Sequence, residues 1–148
     1  MADGKTHAAA ARRMAGRVTV VAAVAAVVVH PVMIAPAVGA WCATVTDPDL
    51  DHHVFSESEA VIFRYNRLLG RLWSLYWWPY ESLNTHRGRS HTIPQGTLDR
   101  FVLLFWPLLS LSVGLVPTLG AWVVAWWFLV FVGQCIVDAV HLRLDKMI

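Results

Sequence analysis

Three short clusters in this chain combine imidazole with carboxylate or guanidinium groups. Asp47-Pro48-Asp49-Leu50-Asp51-His52-His53 packs its acids and histidines into one short run, His86-Arg87-Gly88-Arg89-Ser90-His91 forms the second, and Asp138, His141 and Asp145 form the third. The third set is spaced by three and then four residues, which places all its members on one face of a helix. His7 stands alone as a fourth element. Imidazole and carboxylate are the ligand set of zinc, manganese or iron, and no cluster contains a thiolate. Each cluster taken singly has an ordinary reading: a capping turn, a headgroup-contacting loop, a surface His-x-x-x-Asp pair. Several carboxylates gathered beside a low-dielectric slab are costly unless a cation neutralises them, so together the clusters point to a divalent metal ion.

The elements that must position these groups are apolar. Of 148 residues 57% are hydrophobic and only 15% charged, with 8 Trp and a mean hydropathy of +0.51, against about 25% charged in an ordinary soluble domain. Disorder is excluded, and a soluble enzyme nearly so. A net charge of +2 with pI near 8.8 is far from the basic stripe of a nucleic-acid binder, so no nucleic-acid partner is expected. Cys42 and Cys135 form no metal or disulfide motif and read as small hydrophobic side chains.

The length predicts one membrane-embedded domain over 1–148, in three parts. The block 101–140 is broken by Pro117-Thr118-Leu119-Gly120 and reads as a transmembrane helical hairpin, each half approaching the ~20 residues a span needs. The block 18–45 is interrupted at His30-Pro31 and reads as a shorter or re-entrant hairpin; one tilted helix, or a cleaved leader within residues 1–40, are the alternatives. Between them, 46–100 is polar. Glu57–Gly70 is predicted to be an interfacial helix capped by Ser56, followed by the aromatic run Leu72–Tyr80, whose Trp and Tyr suit the membrane–water boundary. The expected class is therefore an all-α membrane protein. With two hairpins, all 12 Lys and Arg fall on one side together with both termini and the central segment. The positive-inside rule makes that side cytoplasmic and the location the cell (inner) membrane. The same topology brings all the clusters to one face.

Gly4-Lys5-Thr6-His7, Pro48-Asp49-Leu50-Asp51-His52, Arg64-Tyr65, Arg71-Leu72-Trp73, Trp78-Pro79-Tyr80, His86-Arg87-Gly88-Arg89-Ser90-His91 and His141-x-x-x-Asp145 together resemble a family of bacterial and archaeal integral-membrane metal-dependent hydrolases, related to the LexA-binding, inner-membrane-bound hydrolases. The resemblance runs in order along nearly the whole chain. Many members extend well beyond the His-x-x-x-Asp helix, and the first apolar block here is short. The resemblance implies a His/Asp metal site and a hydrolase, without supplying a substrate. On that reading His7, Asp49, His86, His91, His141 and Asp145 hold one or two divalent ions, zinc first and manganese next. Asp51 serves as general base, Asp138 orients His141, and Arg87 and Arg89 stabilise negative charge developing on a phosphoester or lipid-like substrate. The alternatives are a non-enzymatic protein with a structural or sensing metal site, or with a protein partner at the cytoplasmic face, and a lipid-interacting anchor subunit without metal.

Overall fold

Alanine is the strongest helix former, and the run Ala8–Ala11 followed by valines carries one helix from the polar N-terminal region straight into the first apolar block. In the computed structural model, which describes residues 4–46, 48–51, 56–84 and 88–146 (the side chains of Asp51 and Ser58 excepted), this helix, α1, spans Gly4–Val28. The expected boundary at Val18 is thus displaced: the basic residues before it are the first turns of the same helix.

α1 stops at His30-Pro31, where proline removes a backbone donor. His30 is extended (φ −165°, ψ 141°), and its Nδ1 accepts from the Val32 N–H to cap a 3-10 turn, Pro31–Ile34. α2 (Ala35–Ala43) follows. The Trp41 indole donates to Thr19 Oγ1 at 2.9 Å, and Ala40 and Ala43 pack with Ala11, Ala15 and Val137. α2 therefore lies against both α1 and the last helix. Contact with the latter is at backbone distance. A Cβ on Gly39 would lie 1.7 Å from the Val130 carbonyl oxygen, and one on Gly133 would lie 2.0 Å from that of Pro36. Small residues at a helix interface permit this approach.

In the central segment Ser56 caps as expected, exchanging bonds with Glu59 in a capping box. The single helix expected over Glu57–Gly70 is divided, however, into α3 (Glu57–Tyr65) and α4 (Arg67–Leu83). The break is Asn66, extended at φ −156°, ψ 122°, whose Oδ1 accepts from the Leu68 and Leu69 N–H groups. An asparagine that satisfies two amide donors is a better N-cap than a helix interior residue. α4 then passes through the aromatic run, Pro79 included, and Trp77 and Tyr80 are buried with Leu50.

α5 (Gln95–Val113), a single turn α6 (Val116–Leu119) and α7 (Ala121–Leu144) complete the chain. The break between α5 and α7 falls where the sequence places it. Gly120, with φ +56°, starts α7 in a backbone conformation that glycine adopts without strain. Phe101 and Phe105 of α5 pack against Val130, Trp127 and Phe131 of α7. All the elements among the described residues are helical, and α5 and α7 are long and apolar enough to cross a membrane.

The helices fix two ends. His30 stacks on Trp122 with ring centroids 4.1 Å apart, while His7 meets His141 edge-on, also at 4.1 Å. α1 and α7 therefore run antiparallel. The two contacts are separated by about 28 Å of α7 at ~1.5 Å per residue.

Candidate metal centre

Four elements deliver side chains to one end of the molecule. α1 contributes His7 near its start, and α7 contributes His141 and, as the residue capping its C-terminus, Asp145. The 3-10 turn Pro48–Asp51 contributes Asp49, and a second 3-10 turn, Arg89–His91, contributes His91. One ligand atom from each of Asp49, His91, His141 and Asp145 can be chosen so that all four lie within 4.8 Å of one another. The His141 Nε2 is 3.4 Å from Asp49 Oδ1 and 3.3 Å from Asp145 Oδ2, and the His91 Nε2 is 3.5 Å from the same Asp49 oxygen. His7 adjoins through the other oxygen of Asp145, at 3.4 Å.

These separations fit a coordination polyhedron. Zinc bonds of about 2.1 Å in tetrahedral geometry place neighbouring donor atoms about 3.4 Å apart, whereas an imidazolium and a carboxylate in direct hydrogen bond draw to about 2.7–2.9 Å. The donor set also fits: two carboxylates balance the charge of a divalent ion, and two imidazoles complete four ligands. The group could hold a metal ion. Side chains of His91, His141 and Asp145 are nearly sealed, and Asp49, at 29% exposure, is the accessible member. Burial by itself raises a carboxyl pKa, but the facing imidazoles of His141 and His91 hold Asp49 well below the usual carboxylate range.

The turns that carry Asp49 and His91 are pinned by contacts that the sequence reading did not identify. Pro48 and Leu50 are buried on either side of Asp49, Leu50 against Trp77 and Tyr80. Upstream, the Gln134 side-chain amide donates to Thr46 Oγ1 at 3.1 Å, tying the end of α2 to α7. The second turn rests on α5 so closely that a Cβ on Gly96 would lie 2.3 Å from the Ser90 carbonyl oxygen. That oxygen accepts from Arg100 Nη1 at 2.7 Å, and the same nitrogen reaches the Tyr80 hydroxyl at 3.2 Å. The other terminal nitrogen of Arg100 donates to Asp138 Oδ2, which also accepts from Thr97 Oγ1 at 2.6 Å. Arg100 and Asp138 are each 1% exposed.

Asp138 therefore does not orient His141, as the helical spacing suggested. It lies one turn earlier and serves as the counter-ion of Arg100. A partial signal for this pair was present: Asp138 is the single charged residue of the block 101–140, a lone buried acid requires a cation, and Arg100 stands at the edge of the same block. Among the other expected residues, Arg89 is largely exposed and forms a two-pronged pair with Asp99, at 2.7 and 2.9 Å. His86, Arg87 and the Asp51 side chain lie outside the described residues.

Fold and site together define an all-helical protein with a His/Asp cluster at one end of its helices. No protein-family model matches the chain, and no curated protein or solved structure is significantly similar to it.

Proposed function

We propose that the protein is a membrane-embedded, metal-dependent hydrolase whose His/Asp centre lies at the cytoplasmic membrane face, with zinc as first choice of ion and manganese next. The observation that carries this reading is the grouping of Asp49, His91, His141 and Asp145 within 4.8 Å, with three contacts of 3.3–3.5 Å that match the edge length of a tetrahedral site. Membrane embedding is supported by an inverted distribution of polarity. Arg100, Gln134 and Asp138 are buried, whereas Val20, Val24, Val27, Leu111, Trp122 and Phe128 are exposed. The ~28 Å between the two ends of α7 compares with the ~30 Å hydrocarbon core of a bilayer. α1 with α2, and α5 with α7, make a short and a long hairpin. No Lys or Arg occurs near the His30 or Gly120 turns, and this orients the opposite, metal-binding end towards the cytoplasm.

A divalent ion in this seat supplies Lewis acidity, making water acidic enough to furnish a nucleophile near neutral pH. Asp49 is partly open to solvent and is the side from which substrate approaches. Asp51, two residues on in the sequence, is the general base of this reading. A phosphoester or lipid-like substrate accords with a site at headgroup depth and with Arg87 and Arg89 close to His91 in the sequence, Arg89 exchanging Asp99 for substrate oxygens. This is the function that the resemblance to integral-membrane metal-dependent hydrolases implies. The near-complete burial of His91 and His141 favours a second reading, a closed structural or sensing site with no open position.

Elemental analysis of purified protein tests the centre. The wild type is expected to carry a stoichiometric divalent metal, and His91→Ala and Asp145→Ala to lose it. Unchanged metal content in both variants refutes the reading. Hydrolysis of a chromogenic phosphodiester by the metal-loaded protein separates the enzyme from the closed site, which binds metal without turnover.

A further inference from the structure

The elbow between α3 and α4 is unrelated to the metal cluster and carries its own chemistry. α3 folds onto α4 through the Phe63 ring over Gly70, where a Cβ would lie 2.4 Å from the ring, and through Ser74, which donates to Glu59 at 2.8 Å. At the junction of α3 and α4 a polar concavity of about 690 Å³ is lined by Arg64, Arg67 and Arg71 with Tyr65 and Asn66. Arg64 shares its charge with Glu57 at 3.3 Å. Arg67 and Arg71 are exposed and, among the described residues, neither forms an ion pair. They are four apart on α4, so their guanidinium groups lie on one face.

Beside them runs an apolar stripe left exposed among the described residues. Leu68, Leu72, Leu75 and Leu83 recur at helical spacing on the exposed side of α4, with Leu68 65% and Leu75 68% exposed. Trp78, also exposed, lies on the arginine flank. The opposite side of α4 is satisfied by Leu50, Leu103 and Leu104. A helix with leucines on one exposed face, arginines along its edge and a tryptophan between them suits the plane of a lipid surface, its rings and stems in the acyl region and its cations at the phosphates. A concavity with three guanidinium groups requires negative charge on whatever fills it.

We propose that the α3–α4 elbow is a seat for the headgroup of an anionic phospholipid. Arg64, Arg67 and Arg71 take its phosphate, while Leu68, Leu72 and Leu75 lie among its acyl chains. The inference rests on the membrane reading above but not on the metal centre. Each basic residue beside an anionic surface contributes about fivefold to binding; with Arg64 shared, the elbow should favour an anionic over a zwitterionic lipid by at least tenfold.

The full-length protein in neutral detergent is to be offered phosphatidylglycerol or phosphatidylcholine at equal concentration, and bound lipid measured by native mass spectrometry. The wild type should retain phosphatidylglycerol at least tenfold better, and R64Q/R67Q/R71Q should bring the two lipids within about twofold of each other. R64K/R67K/R71K should keep the preference, and L68S/L72S/L75S should weaken both lipids together. Helical circular dichroism and metal content report folding and the distant cluster separately, so loss of metal with intact lipid preference overturns only the metal reading. Equal binding of the two lipids by the wild type, or an undiminished preference in the glutamine variant, overturns the lipid seat and leaves the exposed stripe to a protein partner. Should the glutamine variant fail to fold, Arg67→Glu, a single exposed change, must reduce the preference at least fivefold for the inference to stand.

Discussion

Replacing Arg100 by methionine separates the two tasks that this buried residue performs. It compensates Asp138, and it holds the Ser90 carbonyl next to His91. Arg100→Met leaves the Asp138 carboxylate, itself 1% exposed, without a counter-ion, which costs about 3–5 kcal/mol. The Ser90 oxygen loses the bond from Arg100, at about 1–3 kcal/mol. The second loss releases the turn that presents His91, and removing such an orienting contact weakens a metal site by roughly 10–100-fold. The double variant Arg100→Met/Asp138→Leu removes both charges. Apolar replacement of a buried pair is often neutral or stabilising, so stability should return to within about 2 kcal/mol of wild type. Metal affinity should not return, because the bond from Arg100 to the Ser90 carbonyl is still missing. Thermal unfolding in detergent measures the first quantity, and competition with a chromophoric chelator the second. If zinc affinity recovers in step with stability in the double variant, Arg100 acts only as a counter-ion and the positioning argument is refuted.

Two further outcomes test other links. Gly39→Ala and Gly133→Ala should each destabilise the protein by about 1–3 kcal/mol, since the new methyl group meets backbone across the α2–α7 contact. Gly16→Ala, where an added Cβ meets nothing within 4 Å, should instead stabilise α1 by up to about 1 kcal/mol; thermal unfolding that gives all three the same sign refutes the close-packed contact. Chelation should lower the unfolding temperature relative to protein held at 100 times the dissociation constant in zinc, a difference of about 2.7 kcal/mol. That difference should vanish in Asp49→Ala, and its persistence there removes Asp49 from the site.

Local chemistry was legible in the sequence wherever one or two residues decide the backbone. His30-Pro31 breaks α1, Ser56 and Glu59 start α3, and the turn before α7 lies at Pro117–Gly120. The errors arise where a weaker local signal outweighed a stronger-looking pattern. Asn66 satisfies two amide donors and so interrupts an amphipathic run that the periodicity carried through to Gly70. Similarly, hydropathy marks an onset at Val18, whereas the helix propensity of the alanines extends α1 back to Gly4. For the site, the individual ligands were legible as residue types at metal-like spacing. Their gathering at one end followed from the hairpin topology, but their mutual distances did not, because these depend on two short turns being pinned from outside. Arg100 illustrates the limit. Its type and its place at the edge of an apolar block mark a charge needing a partner, but its bond to the Ser90 carbonyl belongs to the tertiary structure alone.

The same separation explains how so apolar a molecule could hold a polar centre in register. In a bilayer, apolar side chains gain little by leaving lipid for protein, so packing geometry and buried polar contacts must fix the helices. Here the α2–α7 interface supplies both. Gly39 and Gly133 bring the backbones together, and Gln134 donates to Thr46 immediately before the turn carrying Asp49. One helical turn further along α7, Asp138 anchors Arg100, which reaches the turn carrying His91. One turn beyond that stands His141. The buried face of α7 thus places, in succession, the supports of Asp49 and of His91 and then His141, a member of the cluster itself. A rotation of α7 that displaced one of these groups would displace all three. The centre's geometry accordingly depends on the orientation of a single helix, and substitutions along its buried face should perturb metal binding before they abolish the fold.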